Sequence, residues 1–195
     1  MKNNYRTIAL SSVVLSLAVL QGCATSIKAS STANPPPAQA FSSYGRIEVK
    51  PVVFKEGYKG DYAGLAKIDE NFKKDLAPKL EKWNTVPANG RTLVVEPVVE
   101  ELSFKHGAKR VLLGPLAGSS GVLMRVTFRD NAGNVVATPE FFQRTAAMSG
   151  GFTMGSMDNV MLMRVANLAS GYVIANYDRP VGGPTGADEQ AVATR

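Results

Sequence analysis

The chain has 195 residues, 45% of them hydrophobic and 19% charged, which leaves room for one folded domain once a targeting segment is removed and excludes wholesale disorder. The formal charge of +6 includes Lys2 and Arg6, and without them 20 basic residues face 16 acidic ones from residue 23 onward. That mild excess has no stripe of alternating basic and aromatic residues, so no nucleic-acid partner is expected. A single cysteine excludes an internal disulfide and a cysteine zinc cluster.

Lys2 and Arg6 open a short positive region, and residues 8–20 are apolar or small throughout. This stretch has signal-peptide length and is too short to span a bilayer. It closes on Leu20-Gln21-Gly22-Cys23. The sequence resembles the bacterial lipobox, which implies cleavage after Gly22 and a diacylglycerol thioether plus an N-acyl chain on Cys23. An uncleaved anchor or an ordinary signal peptide is the alternative. No other cofactor is expected. Ala24 stands where many inner-membrane lipoproteins carry aspartate, so the resemblance implies the periplasmic face of the outer membrane, with the inner membrane as the alternative. Several acyl chains together anchor almost permanently, because each buried methylene contributes about 0.8 kcal/mol.

Residues 23–41 are rich in Ser, Thr, Ala and Pro, with Pro35-Pro36-Pro37 in the middle. They read as a flexible tether reaching at most about 60 Å. Residues 180–195, with Gly182-Gly183-Pro184, read as a disordered tail. The domain is expected over 42–179.

Within it, Ile47, Val49 and Val53 alternate along a strand at 46–54. Leu65, Ile68, Phe72, Leu76, Leu80 and Trp83 recur at steps of three and four, which predicts an amphipathic helix kinked or divided at Pro78. Residues 93–104 read as a long strand bent at Pro97. Strands at 122–129 and 135–147 flank the turn 130–134, with Pro139 marking an edge or bulge. A final helix opens near Ser156, carries Asp158 in its first turn and is apolar over most of its circumference, with Met161, Val165, Leu168 and Tyr172 sharing a face. The order β-α-β-β-β-α predicts an α+β domain, with helices on one face of a largely antiparallel four-stranded sheet.

Catalytic and ligand motifs are sparse. His106 is the sole histidine, and Gly118-Ser119-Ser120-Gly121 is one residue short of a nucleophile elbow. A solvated loop histidine is the preferred reading, and one histidine with scattered carboxylates has no metal-ligand spacing. Gly114–Gly121 lacks the Lys-Ser/Thr end of a phosphate loop. Gly150, Gly151 and Ser156 sit between a strand and a helix, where free amides could hold an anion, but a connector that needs glycine for its turns is the preferred reading. Glu96, Glu100 and Glu101 are read as solvated strand residues rather than an acid–base pair. The connector 105–120 is long for a compact domain and carries Lys105, His106, Lys109 and Arg110 before Val111, Leu112, Leu113 and Leu116. Lys109, Arg110, Leu112 and Leu113 are candidates for contact with a partner or membrane; the competing reading has the apolar residues cap the core.

Four segments, Phe72-Lys-Lys-Asp-Leu76, Leu93-Val-Val-Glu-Pro97, the glycine-rich 114–121 and Val126-Thr-Phe-Arg-Asp130 followed by Gly133, resemble the Gram-negative lipoprotein family catalogued as domain of unknown function 4410. The resemblance spans about residues 44–177. It transfers no catalytic residues, and its architecture is similar to that of envelope lipoproteins that act as accessory parts of larger assemblies. The expectation is a non-catalytic binding, scaffold or assembly module with an envelope protein partner and a possible homo-oligomeric state. A small hydrolase or ligand-binding enzyme domain is the alternative.

Overall fold

The computed structural model describes residues 27–85, 89–104, 120–145 and 156–193. In chain order these form β1 (Ala33–Asn34), β2 (Arg46–Val49), β3 (Val53–Phe54), α1 (Tyr62–Trp83), β4 (Thr92–Ser103), β5 (Gly121–Asp130), β6 (Val135–Ala137), β7 (Glu140–Arg144), α2 (Ser156–Ala175) and β8 (Gly183–Pro184). Strands β2 to β7 build one mixed six-stranded sheet, and β1 pairs with β8 apart from it.

The expected antiparallel four-stranded sheet is corrected on two counts. β2 and β3 lie parallel to β4, while β4–β5, β5–β6 and β5–β7 are antiparallel. The parallel edge follows from the connection, because a helix between two neighbouring strands returns the chain to the end from which it started. Moreover, the first and last expected strands each divide in two. Pro97 explains the first division. The Lys50 N–H reaches the Val95 carbonyl at 2.9 Å, and the next donor of a parallel ladder would come from residue 97, where proline has none. Pairing resumes with Val53 opposite Val98. Pro97 itself pairs with Val126 in continuous register, and the register of β4 shifts at Val99/Glu101. Pro139 marks the second division, between β6 and β7.

The Asp61 carboxylate caps α1 by accepting from the Gly64 N–H at 2.7 Å. Ile68, Phe72 and Leu76 are then fully buried, one turn apart, as the periodicity predicts. Pro78 does not divide α1; it sits on the exposed side, where water can reach the carbonyl it leaves unbonded. On α2, Met161, Val165 and Tyr172 are buried but Leu168 only partly so. The helices run parallel. Asp75 accepts from the Ser170 hydroxyl at 2.7 Å midway, and the Trp83 and Tyr177 rings stack at 3.9 Å near the C-terminal ends.

Both helices cover one face of the sheet, on which Leu93, Val95 and Val99 of β4 and Val122, Met124, Val126 and Phe128 of β5 are inaccessible to solvent. Phe41 stacks on Phe128 at 4.7 Å, and Tyr172 meets both rings. Burial pushes the Tyr172 hydroxyl up to about 12, so it remains a neutral donor to the Pro35 carbonyl at 2.9 Å.

The turn after β5 is held by Asp130, whose carboxylate accepts from the Asn134 side chain and from the Asn134 and Ala132 N–H groups at 2.8–2.9 Å. The Asn134 side-chain bond, followed by these backbone bonds, holds Asp130 below its ordinary 3.8. A lowered folded value means that the contribution is complete above 3.8 and lost as pH falls through the folded value. Acidification below 3.8 should accelerate amide exchange at Ala132 and Asn134 while Val126 stays protected. Equal acceleration at all three would show that the turn does not open on its own.

The segments read as tether and tail also depart from expectation. From Ile27 onward the first is packed on the domain, and the second packs beside it as far as Val192.

Candidate functional site

The two terminal segments meet along the free edge of β7, where the Phe142 N–H donates to the Thr185 carbonyl at 2.7 Å, and lap from there onto the sheet face that the helices leave open. Ala33 pairs with Pro184 and Asn34 with Gly183, and Ala29 bridges to Val192. The Ala29 N–H donates to the Ala191 carbonyl at 2.9 Å and the Ala193 N–H to the Ala29 carbonyl at 2.8 Å. Under this clasp Ile27, Ala29 and Ala191 join Leu123 of β5 and Phe142 of β7 in a second, smaller apolar cluster.

Three polar side chains lock it. Asn34 accepts from the Glu140 N–H at 2.9 Å and donates to the Glu140 carbonyl at 2.8 Å, acting as a one-residue extension of the sheet. The Glu140 carboxylate, almost wholly buried, accepts from the Ser30 N–H and hydroxyl and from the Ser31 N–H, and lies 3.3 Å from Arg125. Asn176 is inaccessible to solvent and satisfied at both ends of its amide. Its oxygen accepts from the Val181 and Gly182 N–H groups, and its nitrogen donates to the Tyr172 and Gly182 carbonyls. A buried amide with four such partners turns the chain out of α2 into the clasp. Gly182 and Gly186 have positive φ, and a Cβ would come within 2.5 Å of the Asn34 carbonyl at the first and 2.4 Å of Leu168 at the second. Their glycines serve close approach.

The remaining open face is a ladder of ion pairs. Glu96 meets Arg129 at 3.0 Å and Glu100 meets Arg125 at 2.7 Å, with Glu140 on the other side of Arg125. The Glu100 bond leads the influences that raise Arg125 further above its ordinary value. Glu96 and Glu100 are thus engaged in pairing, whereas Glu101 is exposed beside the register shift. Such half-exposed pairs hold register more than they add stability. A groove of about 370 Å³ opens between the N-terminal ends of the helices, lined by Asp61, Gly64, Lys67, Phe104, Asp158 and Leu162 among others. Lys67 is paired with Glu70 at 2.7 Å. No group of three or more His, Cys, Asp or Glu that could hold a metal occurs among the described residues.

Of the sequence-predicted sites, Gly22, Cys23, Lys109, Arg110, Leu112, Leu113, Gly150 and Gly151 lie outside the described residues. Ser156 is the first residue of α2. No helix among the described residues is long and apolar enough to cross a membrane.

No family model matches the chain, and no curated protein matches it. Several solved structures align loosely. A methionine-substituted PelC dodecamer from Paraburkholderia phytofirmans has a TM-score of 0.39 at 18% identity, covering 71% of this chain and 93% of that one. A second PelC dodecamer from the same organism has 0.36 at 17%, covering 68% and 91%. A protein described as a lipoprotein from Caulobacter crescentus CB15 has 0.33 at 15%, covering 68% and 88%. Superpositions this loose say nothing of the function of this chain.

The clasp residues escape a reading by pattern. Asn34 and Asn176 belong to a residue type common in turns, and Glu140 stands alone beside Pro139. An asparagine directly after a helix was the one local signal of a capping role.

Proposed function

We propose that the chain is a lipid-anchored, non-catalytic binding or scaffold module of the cell envelope, cut after Gly22, acylated on Cys23 and held at the periplasmic face of the outer membrane. The observation that carries this reading is the segment Leu20-Gln21-Gly22-Cys23, which follows an apolar stretch of signal-peptide length and contains the sole cysteine. The clasp supports it: the chain is packed on the domain from Ile27, so a lipid on Cys23 has a firm structural attachment. The ion-pair ladder supports the non-catalytic half, because Glu96, Glu100 and Glu140 each hold an arginine. Membership in the family catalogued as domain of unknown function 4410 belongs to the same proposal and rests on the sequence segments quoted above. Partner contact is assigned to Lys109, Arg110, Leu112 and Leu113. The assembly form of the reading is favoured by Val53 and Val135, each about half exposed on opposite edges of the sheet.

Replacing Cys23 with serine removes the only thiolate that can accept lipid. In cells fed labelled palmitate, Cys23→Ser should lose the label and leave the membrane fraction, while its melting temperature stays within a degree or so of the delipidated parent. Retention of label by the variant would refute the anchor.

A further inference from the structure

The clasp fixes how far the domain stands from the lipid. Only three residues separate Cys23 from Ile27, so their Cα atoms lie at most about 14 Å apart. Ile27 is 2% exposed, and the next residues are bonded to β7 and to the tail, so the chain does not peel away as a longer leash. Its place on the sheet is also defined. Asn34 sits against Glu140 at the start of β7, and the chain back to Ile27 climbs toward Leu123 and Phe142, near the end where β5 begins and β7 finishes. From there to the 130–134 turn the sheet runs about 25 Å.

Resting on the acylation of Cys23 proposed above, we infer that the domain stands end-on against its bilayer, with the edge formed by Ile27, Lys28 and the 189–191 turn at the lipid surface and the Asp130–Asn134 turn pointing away. The partner of this edge is the membrane that holds the acyl chains. A flat orientation would press the open face onto the headgroups and desolvate the half-exposed pairs of Glu96 with Arg129 and of Glu100 with Arg125. The end-on orientation leaves that ladder in water.

The test uses the mature, acylated full-length chain in vesicles of phosphatidylethanolamine and phosphatidylglycerol with a rhodamine-headgroup lipid as acceptor. Because Cys23 is consumed by lipid, Glu189→Cys and Asn131→Cys each supply one thiol for a donor fluorophore, both at exposed turns. Energy transfer should be several-fold stronger from position 189 than from position 131. Inserting twenty Gly/Ser residues between Ser26 and Ile27 should bring the two close to equality, since such a linker spans about 25 Å on average. Equal transfer from the two positions in the uninserted chain, or stronger transfer from 131, overturns the end-on arrangement while leaving the anchor intact. A chain that carries no acyl group and fails to float with the vesicles overturns the anchor, and this inference with it.

Discussion

Truncating Phe128 to alanine is expected to destabilise the domain by about 3–5 kcal/mol, the largest effect of any single change considered. Phe128 is inaccessible to solvent near the C-terminal end of β5 and stacks on Phe41 at 4.7 Å, with the Tyr172 ring 5.9 Å away. Removing its ring empties the place where the N-terminal segment, the sheet and α2 meet, and none of the three can close over the gap alone. Domains of this size have about 5–15 kcal/mol in total, so the variant should sit near the edge of folding. Chemical denaturation of the mature chain carrying Cys23→Ser reads the effect directly. Val53→Ala, at a half-exposed position on the sheet edge, should move the same midpoint by less than about 0.5 kcal/mol. Similar shifts for the two variants would mean that the three-ring cluster is not the centre of the core.

Glu140→Ala should cost about 3 kcal/mol and act in a different way. The substitution leaves the backbone pair with Asn34 in place but withdraws the acceptor for Ser30 and Ser31 and one partner of Arg125. Arg125 keeps Glu100 and is partly solvated, so its share of the loss is screened, and most of the effect lies in the N–H groups left without a partner. The clasp should therefore loosen before the sheet does. Limited proteolysis should cut residues 27–34 of the variant early, with the fragment from 42 onward surviving. Glu140→Gln, which keeps an acceptor oxygen without the charge, should fall between. Cleavage at the parent rate in Glu140→Ala would show that the carboxylate does not hold the N-terminal segment.

Elements whose signal lies within a few residues were legible in advance. Ile68, Phe72 and Leu76 recur at helical spacing because one helix has one buried stripe, and that stripe is the buried face of α1. The turn at 130–134 could be read from Asp130 and Gly133, since a carboxylate can accept from the next N–H groups and glycine reaches φ of 86° without strain. The direction of the first sheet edge was not legible, because the period-two alternation of Ile47, Val49 and Val53 is the same in either orientation. The break that Pro97 imposes on the neighbouring strand was not legible either. What matters is the side to which its nitrogen points, and that depends on which neighbour lies there.

The amino-acid sequence by itself determined the presence of an α+β domain, the positions of both helices and the course of β4 and β5, all of which follow from local composition and periodicity. The clasp was decided only by the tertiary structure. Pro35-Pro36-Pro37 and Gly182-Gly183-Pro184 have little capacity to form structure alone, and each reads in isolation as free chain. Paired across about 150 positions, their neighbours Ala33 and Asn34 complete a second sheet with Gly183 and Pro184, and Gly182 has room only because it lacks a side chain. Long-range pairing of this kind leaves no periodic trace. Its contribution comes from backbone groups that every residue carries, satisfied by partners that no local window contains.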